Sequence, residues 1–248
     1  MSLTNEYQRQ FALRSWSRVF ELLPNLDGQL VLDLGCGIGD QTAELVARGA
    51  SCIGIDVSDE MLASAKSRAI PNTEFRRLDL GEALGIENLV DGIWCSFAAA
   101  YFPQLVPRLM AWKEHLKPGG WIALTEIDNL FGHEPLSHET RTLLDSYERD
   151  ALASHRYDFH MGRKLAEHLR AAGFTIRQSE VISDKEFSFD GPAEPKVLAA
   201  WSARLDRLGA LQKFCGSSFP RLRDDYLAAL ASSHHRSNAK VHCCIASA

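Results

Sequence analysis

No Cys-x-x-Cys pair occurs in this chain, although it has six cysteines, at positions 36, 52, 95, 215, 243 and 244. Without paired spacing there is no zinc ligand set to read, and no metal is expected. Cys52, Cys95 and Cys243 fall in apolar runs of strand type, so the cysteines read as buried free thiols of a reducing compartment, the cytoplasm. A membrane span is also missing: the longest uncharged stretch, residues 92–107, is short and broken by Pro103 and Pro107. The opening MSLTNEYQRQ is polar and unlike a signal peptide. Lysine and arginine form no run, and a net charge of -5 argues against a nucleic-acid partner. Internal repeats and low-complexity tracts are absent too.

What is present is ordinary globular composition, 46% hydrophobic and 24% charged over 248 residues, which fits one domain. Two periods alternate along its first half. Helical spacing of Tyr7, Phe11, Leu13, Trp16, Val19 and Phe20 predicts an N-terminal helix within residues 1–23, ending before Pro24. Apolar runs at 30–34, 51–56, 92–97 and 121–127, with a partly polar one at 73–80, predict five strands, with helices over 41–48, 58–68 and 104–116 between them. Ser58 is placed to cap the second of these helices, and KPGG at 117–120 to turn into the fifth strand. Strands this apolar, alternating with helices, imply a parallel sheet covered on both faces. Beyond Ile127 the rhythm changes. Residues 128–160 are polar with a helix at 137–153, a helix at 161–172 ends at Gly173, and strands follow at 174–182 and 240–248. Between those strands, residues 190–236 are mostly helical.

The chemistry is concentrated in LDLGCGIGD, residues 32–40, where three glycines close the first strand. In a doubly wound sheet, ligands bind beyond the carboxyl ends of the strands, so the backbone here must approach one. A phosphate-binding P-loop requires Gly-Lys-Ser/Thr after four residues, and Asp40 stands there instead. The dinucleotide fingerprint fails at the same position, since a carboxylate at the helix start opposes a pyrophosphate. A nucleoside-like ligand without phosphate fits better. Asp56 ends the second strand where a carboxylate can bridge ribose hydroxyls, and Asp79 ends the third strand within reach of an adenine amino group.

At these residues the chain resembles the Rossmann-like, class I family of S-adenosylmethionine-dependent methyltransferases. VLDLGCGIGD resembles its first motif, GIDVSDEML its acidic loop, RLDL its adenine contact, and DGIWCSF and LKPGGWIALTEI its fourth and fifth strands. The resemblance implies an α/β fold with a doubly wound, seven-stranded, mostly parallel sheet whose last strand is antiparallel. It implies S-adenosyl-L-methionine as cofactor, and methyl transfer to a small-molecule acceptor through an O, N or C nucleophile. Gly35, Cys36 and Gly37 would lie against the methionyl part, with Ser96 and Phe97 at its amino group. Asp56 and Val57 would hold the ribose, Asp79 and Leu80 the adenine, and Met61 would pack beside it. Asp33 joins the set as a ligand contact or as an anchor for the loop.

For the reaction itself, Tyr101 is a candidate aromatic partner of the sulfonium. His133 and Asp128 are candidate bases past the fifth strand, with Glu126 and His160 nearby. The Asn/Asp-Pro-Pro-aromatic motif of amino-group methylases is replaced by SFAAAYF. An NAD-dependent oxidoreductase and a non-catalytic module that binds the same cofactor remain as alternatives. Residues 128–160 and 190–236, with the N-terminal helix, are expected to form a helical cap over the acceptor. The large apolar side chains Trp201, Leu205, Phe214, Phe219 and Tyr226 motivate this expectation. Monomer and homodimer both stay open.

Overall fold

The structure, a computed structural model, describes residues 8–9 and 11–248. Tyr7 of the predicted N-terminal helix lies outside these residues. Within them that helix is interrupted: residues 11–12 are helical, Arg14 bridges to Asp184, and helix α1 begins only at Trp16–Glu21. At the interruption Arg14 pairs with the buried Glu186, 2.8 Å away.

Then follow β1 (Leu30–Leu34), α2 (Asp40–Ala47), β2 (Ser51–Asp56), α3 (Asp59–Ser67), β3 (Thr73–Arg77) and β4 (Val90–Ser96). A short turn of helix at Ala99–Tyr101 leads to α4 (Leu105–Lys113) and β5 (Leu116–Asp128). The second half contains β6 (His133–Glu134), α5 (His138–Ala153), α6 (Met161–Ala171) and β7 (Thr175–Ile182). It closes with α7 (Pro195–Arg207), α8 (Gly209–Cys215), α9 (Phe219–Ala231), β8 (Arg236–Ser237) and β9 (Lys240–Ser247). Ser58 caps α3 by accepting from Met61 N, and Ser137 caps α5 by accepting from Thr140 N. β3 stops three residues short of the predicted strand, and KPGG extends β5 backwards instead of preceding it.

The main sheet runs β3-β2-β1-β4-β5-β9-β7, parallel throughout except for β9, which is antiparallel to both of its neighbours. β6 and β8 form a separate two-stranded ribbon that was not predicted. Alternation sends successive residues of one strand to opposite faces. Val31 and Trp94 join one core with α1, α5, α7 and α9, while Leu32, Leu34, Ile93 and Cys95 join the other with α4 and α6. Gly162 lets α6 approach the sheet closely, because a Cβ there would lie 2.8 Å from Asp128 N. Of the predicted large groups on the later helices, Phe214 is exposed and Phe219 is partly buried against the core. Trp201, Leu205 and Tyr226 are fully buried in the same core as Val241 and Cys243 of β9. All six cysteines are buried thiols without a disulfide.

Candidate active site

The glycine loop follows β1 and is tied to β2 by its backbone. Gly35 N and Cys36 N both donate to Ile55 O, at 2.8 and 3.0 Å. Gly37 N donates to one oxygen of Asp56 and Ser58 N to the other, each at 2.9 Å. Asp56 therefore organises the loop in addition to facing the space beside it. Gly35 has φ +77°, and a Cβ there would lie 2.8 Å from Ala98 Cβ. A side chain at 35 is thus excluded by the neighbouring turn and by the backbone conformation.

This loop forms one wall of a cavity of about 650 Å³ at the carboxyl edge of the sheet. The cavity is lined by Gly35, Cys36, Gly37, Asp56, Val57, Met61, Asp79, Leu80, Ser96, Phe97 and Tyr101, which the sequence singled out, and by Asp40. Asp40 opens α2 and pairs with Arg68 at 2.6 Å. Asp79 accepts from Gly81 N at 2.8 Å, which shapes the turn after β3. Phe97 ends β4 with φ +56°, a conformation rare outside glycine, and so aims its ring at Trp16, 5.7 Å away between centroids. Phe11, Trp16 and Tyr157 complete an aromatic wall, with Tyr101 edge-on to Tyr157 at 5.0 Å.

Three predicted site residues lie elsewhere. Asp33 is 2% exposed and is absent from the cavity wall. It accepts the Thr42 hydroxyl of α2 at 2.5 Å. Burial pushes its carboxyl up to about 7, the Thr42 hydrogen bond opposes this, and the charge of Asp56 adds to it. His133 is in the β6–β8 ribbon, fully buried, with Nδ1 2.9 Å from His235 Nε2 and its ring edge-on to Trp201. Burial, then His235, then Arg141 bring its imidazole down to about 3, and His133 does not line the cavity. Asp128 ends β5 but turns to α6, 2.6 Å from Arg163 Nε and 3.5 Å from His160 Nδ1. Burial opposes ionisation there, and the hydrogen bonds from His160 and Arg163 outweigh it and hold the carboxyl low. Of the two nearby carboxyl and imidazole groups, Glu126 is fully buried and accepts Ala100 N and Ile127 N. Burial raises it to about 7.

Sequence reasoning missed Arg14, Tyr157, Arg204 and Arg207, all on the cavity wall. None belongs to a local motif. They come from segments far apart in the chain, so no spacing could have announced them.

S-adenosylmethionine, a nucleoside joined to an amino acid, suits the donors present. Ser96 Oγ is buried on the cavity wall and has no hydrogen-bond partner among the described residues, as a group awaiting a polar ligand would. Strand order, the lone antiparallel strand and a glycine loop followed by two strand-end carboxylates define the class I, Rossmann-like methyltransferase fold. Residues 31–120 match the family described as methyltransferase domain. Over these residues the chain matches the class I S-adenosylmethionine-dependent methyltransferases that its motifs resemble.

Among similar proteins, a trans-aconitate 2-methyltransferase of Deinococcus radiodurans is 38% identical over 125 residues, 49% of this chain and 45% of that protein. A ubiquinone biosynthesis O-methyltransferase of Leptothrix cholodnii is 33% identical over 109 residues, 42% of this chain and 46% of its own. These alignments span less than half the length of either relative. A solved structure of a putative methyltransferase from Bacillus halodurans aligns with a TM-score of 0.64. It covers 94% of this chain and 97% of that one at 13% identity, a likeness of fold alone.

Proposed function

We propose that the protein transfers a methyl group from S-adenosyl-L-methionine to a small-molecule acceptor. The observation that carries this reading is a cavity of about 650 Å³ lined both by the glycine loop with its strand-end carboxylates and by aromatic side chains. Its volume is in the range that holds small ligands and cofactors, about 300–1,000 Å³. A macromolecular acceptor such as nucleic acid is not part of this reading.

When bound, the cofactor supplies an activated sulfonium methyl, so the chain's own task is position and exclusion of water. Asp56 would accept ribose hydroxyls with its remaining lone pairs, beside Val57 and Met61. Asp79 and Leu80 would meet the adenine. Ser96 Oγ and the Gly35–Gly37 backbone would meet the methionyl group, with Cys36 beside it. The aromatic faces of Trp16, Phe97 and Tyr101 would stabilise positive charge at the reacting centre, by about 0.5–2 kcal/mol. Tyr101 is the one candidate from the predicted catalytic set that lies on this wall. The ends of residues 128–160 and 190–236 that reach the cavity, at Leu130, Tyr157, Arg204 and Arg207, act in this reading as the cap on the acceptor side. Six buried thiols support a reducing, cytoplasmic setting.

Calorimetry with S-adenosylhomocysteine tests the assignment. Asp56→Ala is expected to weaken binding by about 2–4 kcal/mol, from two lost hydrogen bonds of about 1–2 kcal/mol each. S-adenosylhomocysteine should raise the melting temperature of the wild type and NAD should not. Unchanged affinity in a folded Asp56→Ala variant overturns the reading.

A further inference from the structure

The charges on the cavity wall are segregated. The carboxylates Asp40, Asp56 and Asp79 come from the loop and the ends of β2 and β3. The guanidiniums Arg14, Arg204 and Arg207 come instead from the segment before α1 and from the end of α7. Arg204 is held in place rather than trailing in solvent. Its Nη2 lies 2.6 Å from Glu186 Oε1, while Arg14 Nη1 lies 2.8 Å from Glu186 Oε2, and Glu186 is fully buried. Both guanidiniums also flank the Phe187 ring, at 5.0 and 5.1 Å. Arg14 further covers Phe97 at 4.7 Å, which assigns it to the methionyl half of the cavity. Arg204 and Arg207 are three residues apart on one helix and so share a face. A guanidinium supplies several donors in a planar fork suited to carboxylates. Around them the wall is apolar and aromatic, with Ile127, Leu130 and Tyr157.

A second observation concerns protons. Among the described residues, the polar side chains on this half of the wall are arginine, tyrosine and tryptophan, and none accepts a proton near neutral pH. A nucleophile with no proton to remove suits such a wall.

We propose that the acceptor is a small carboxylic acid with an apolar body, oriented by Arg204 and Arg207 and methylated on a carboxylate oxygen. The proposal rests on the methyl-transfer reading above. A lone pair of the carboxylate oxygen forms the O–CH3 bond, and the S–CH3 pair returns to sulfur. Anion and sulfonium become a neutral methyl ester and a thioether, and no proton is transferred. Arg204 and Arg207 are specificity residues in this scheme.

The test uses the full chain, S-adenosylmethionine labelled in its methyl group, and two acceptor sources: a panel of aliphatic and aromatic carboxylic acids, phenols, amines and phosphate monoesters, and a small-molecule cell extract. The expected product carries label that mild alkali releases as methanol, which distinguishes a carboxyl ester from a phosphodiester, an ether or an N-methyl group. Arg207→Gln should raise KM for the acid tenfold or more and Arg207→Lys should restore part of it. Affinity for S-adenosylhomocysteine should stay within twofold in both variants. Arg204→Gln leaves Glu186 short of a partner and is at risk of misfolding, so the rim residue Arg207 carries the test. Alkali-stable label, or an unchanged KM in Arg207→Gln, overturns the proposal while leaving methyl transfer intact. Binding of S-adenosylhomocysteine with no label transferred to any acceptor overturns the enzyme reading, and this proposal with it.

Discussion

At the scale of single residues, the loop depends on what its glycines exclude. Gly35 is held at φ +77° with its missing Cβ 2.8 Å from Ala98 Cβ, so two separable penalties meet at one position. The left-handed conformation costs a side chain about 1–2 kcal/mol, and overpacking against Ala98 costs about 1–3 kcal/mol more. Gly35→Ala should therefore lower stability in urea by about 2–5 kcal/mol. Adding Ala98→Gly should recover the packing share and leave the conformational share. If the two substitutions prove additive, the contact with Ala98 is not what demands glycine. Asp33 gives the complementary lesson. It stands beside the glycines in sequence, yet it faces α2, because neighbours along a strand point to opposite faces.

At the scale of elements, the junction of β5, α5 and α6 is joined by ionic contacts. His160 precedes α6 and lies 3.5 Å from Asp128 of β5 and 3.4 Å from Glu148 of α5. Hydrogen bonds to Asp128 and then Glu148 raise its imidazole to about 9, against the opposing effect of burial. A folded-state pKa above the ordinary value of 6.5 means that the protonated form is favoured by folding. The contribution is therefore complete below about pH 6.5 and is lost as pH rises through about 9. With the ring about a third exposed, screening leaves on the order of 1–2 kcal/mol. Urea titrations at pH 6 and pH 9.5 should show this difference in the wild type and not in His160→Gln. An equal pH dependence in both proteins would remove His160 from the junction's energetics.

At the scale of the whole molecule, the later helices do two things at once. Their large side chains, among them Trp201 and Tyr226, cover one face of the sheet, and only the end of α7 reaches the cavity. Closure over an acceptor should therefore be local. Hydrogen exchange with S-adenosylhomocysteine and acceptor bound is expected to slow at residues 11–17, 155–159 and 201–208, besides 35–37, 56 and 79. Protection confined to the loop and the two strand ends would mean that these segments cover the sheet without capping the site.

The seven strands of the main sheet, their parallel pairing and the glycine-loop and carboxylate part of the cavity wall were legible in the chain itself, for one physical reason: they are local. Apolar runs of strand length, a capping Ser58, a glycine cluster after β1 and carboxylates after β2 and β3 are set by residues within a few positions of each other. β1 and β2 have the predicted bounds, and of the predicted cofactor residues only Asp33 is absent from the cavity wall. The rest of the cavity wall was decided by tertiary structure alone. Arg14, Tyr157 and Arg204 are brought together by the break before α1, the loop before α6 and the last turns of α7. His133 and Asp128 follow β5 where bases were expected, yet packing turned one into a buried imidazole pair and the other into a helix anchor. Which way a loop side chain turns depends on the partners that long-range packing presents to it. In this chain those partners, His235 and Arg163, are 102 and 35 residues away.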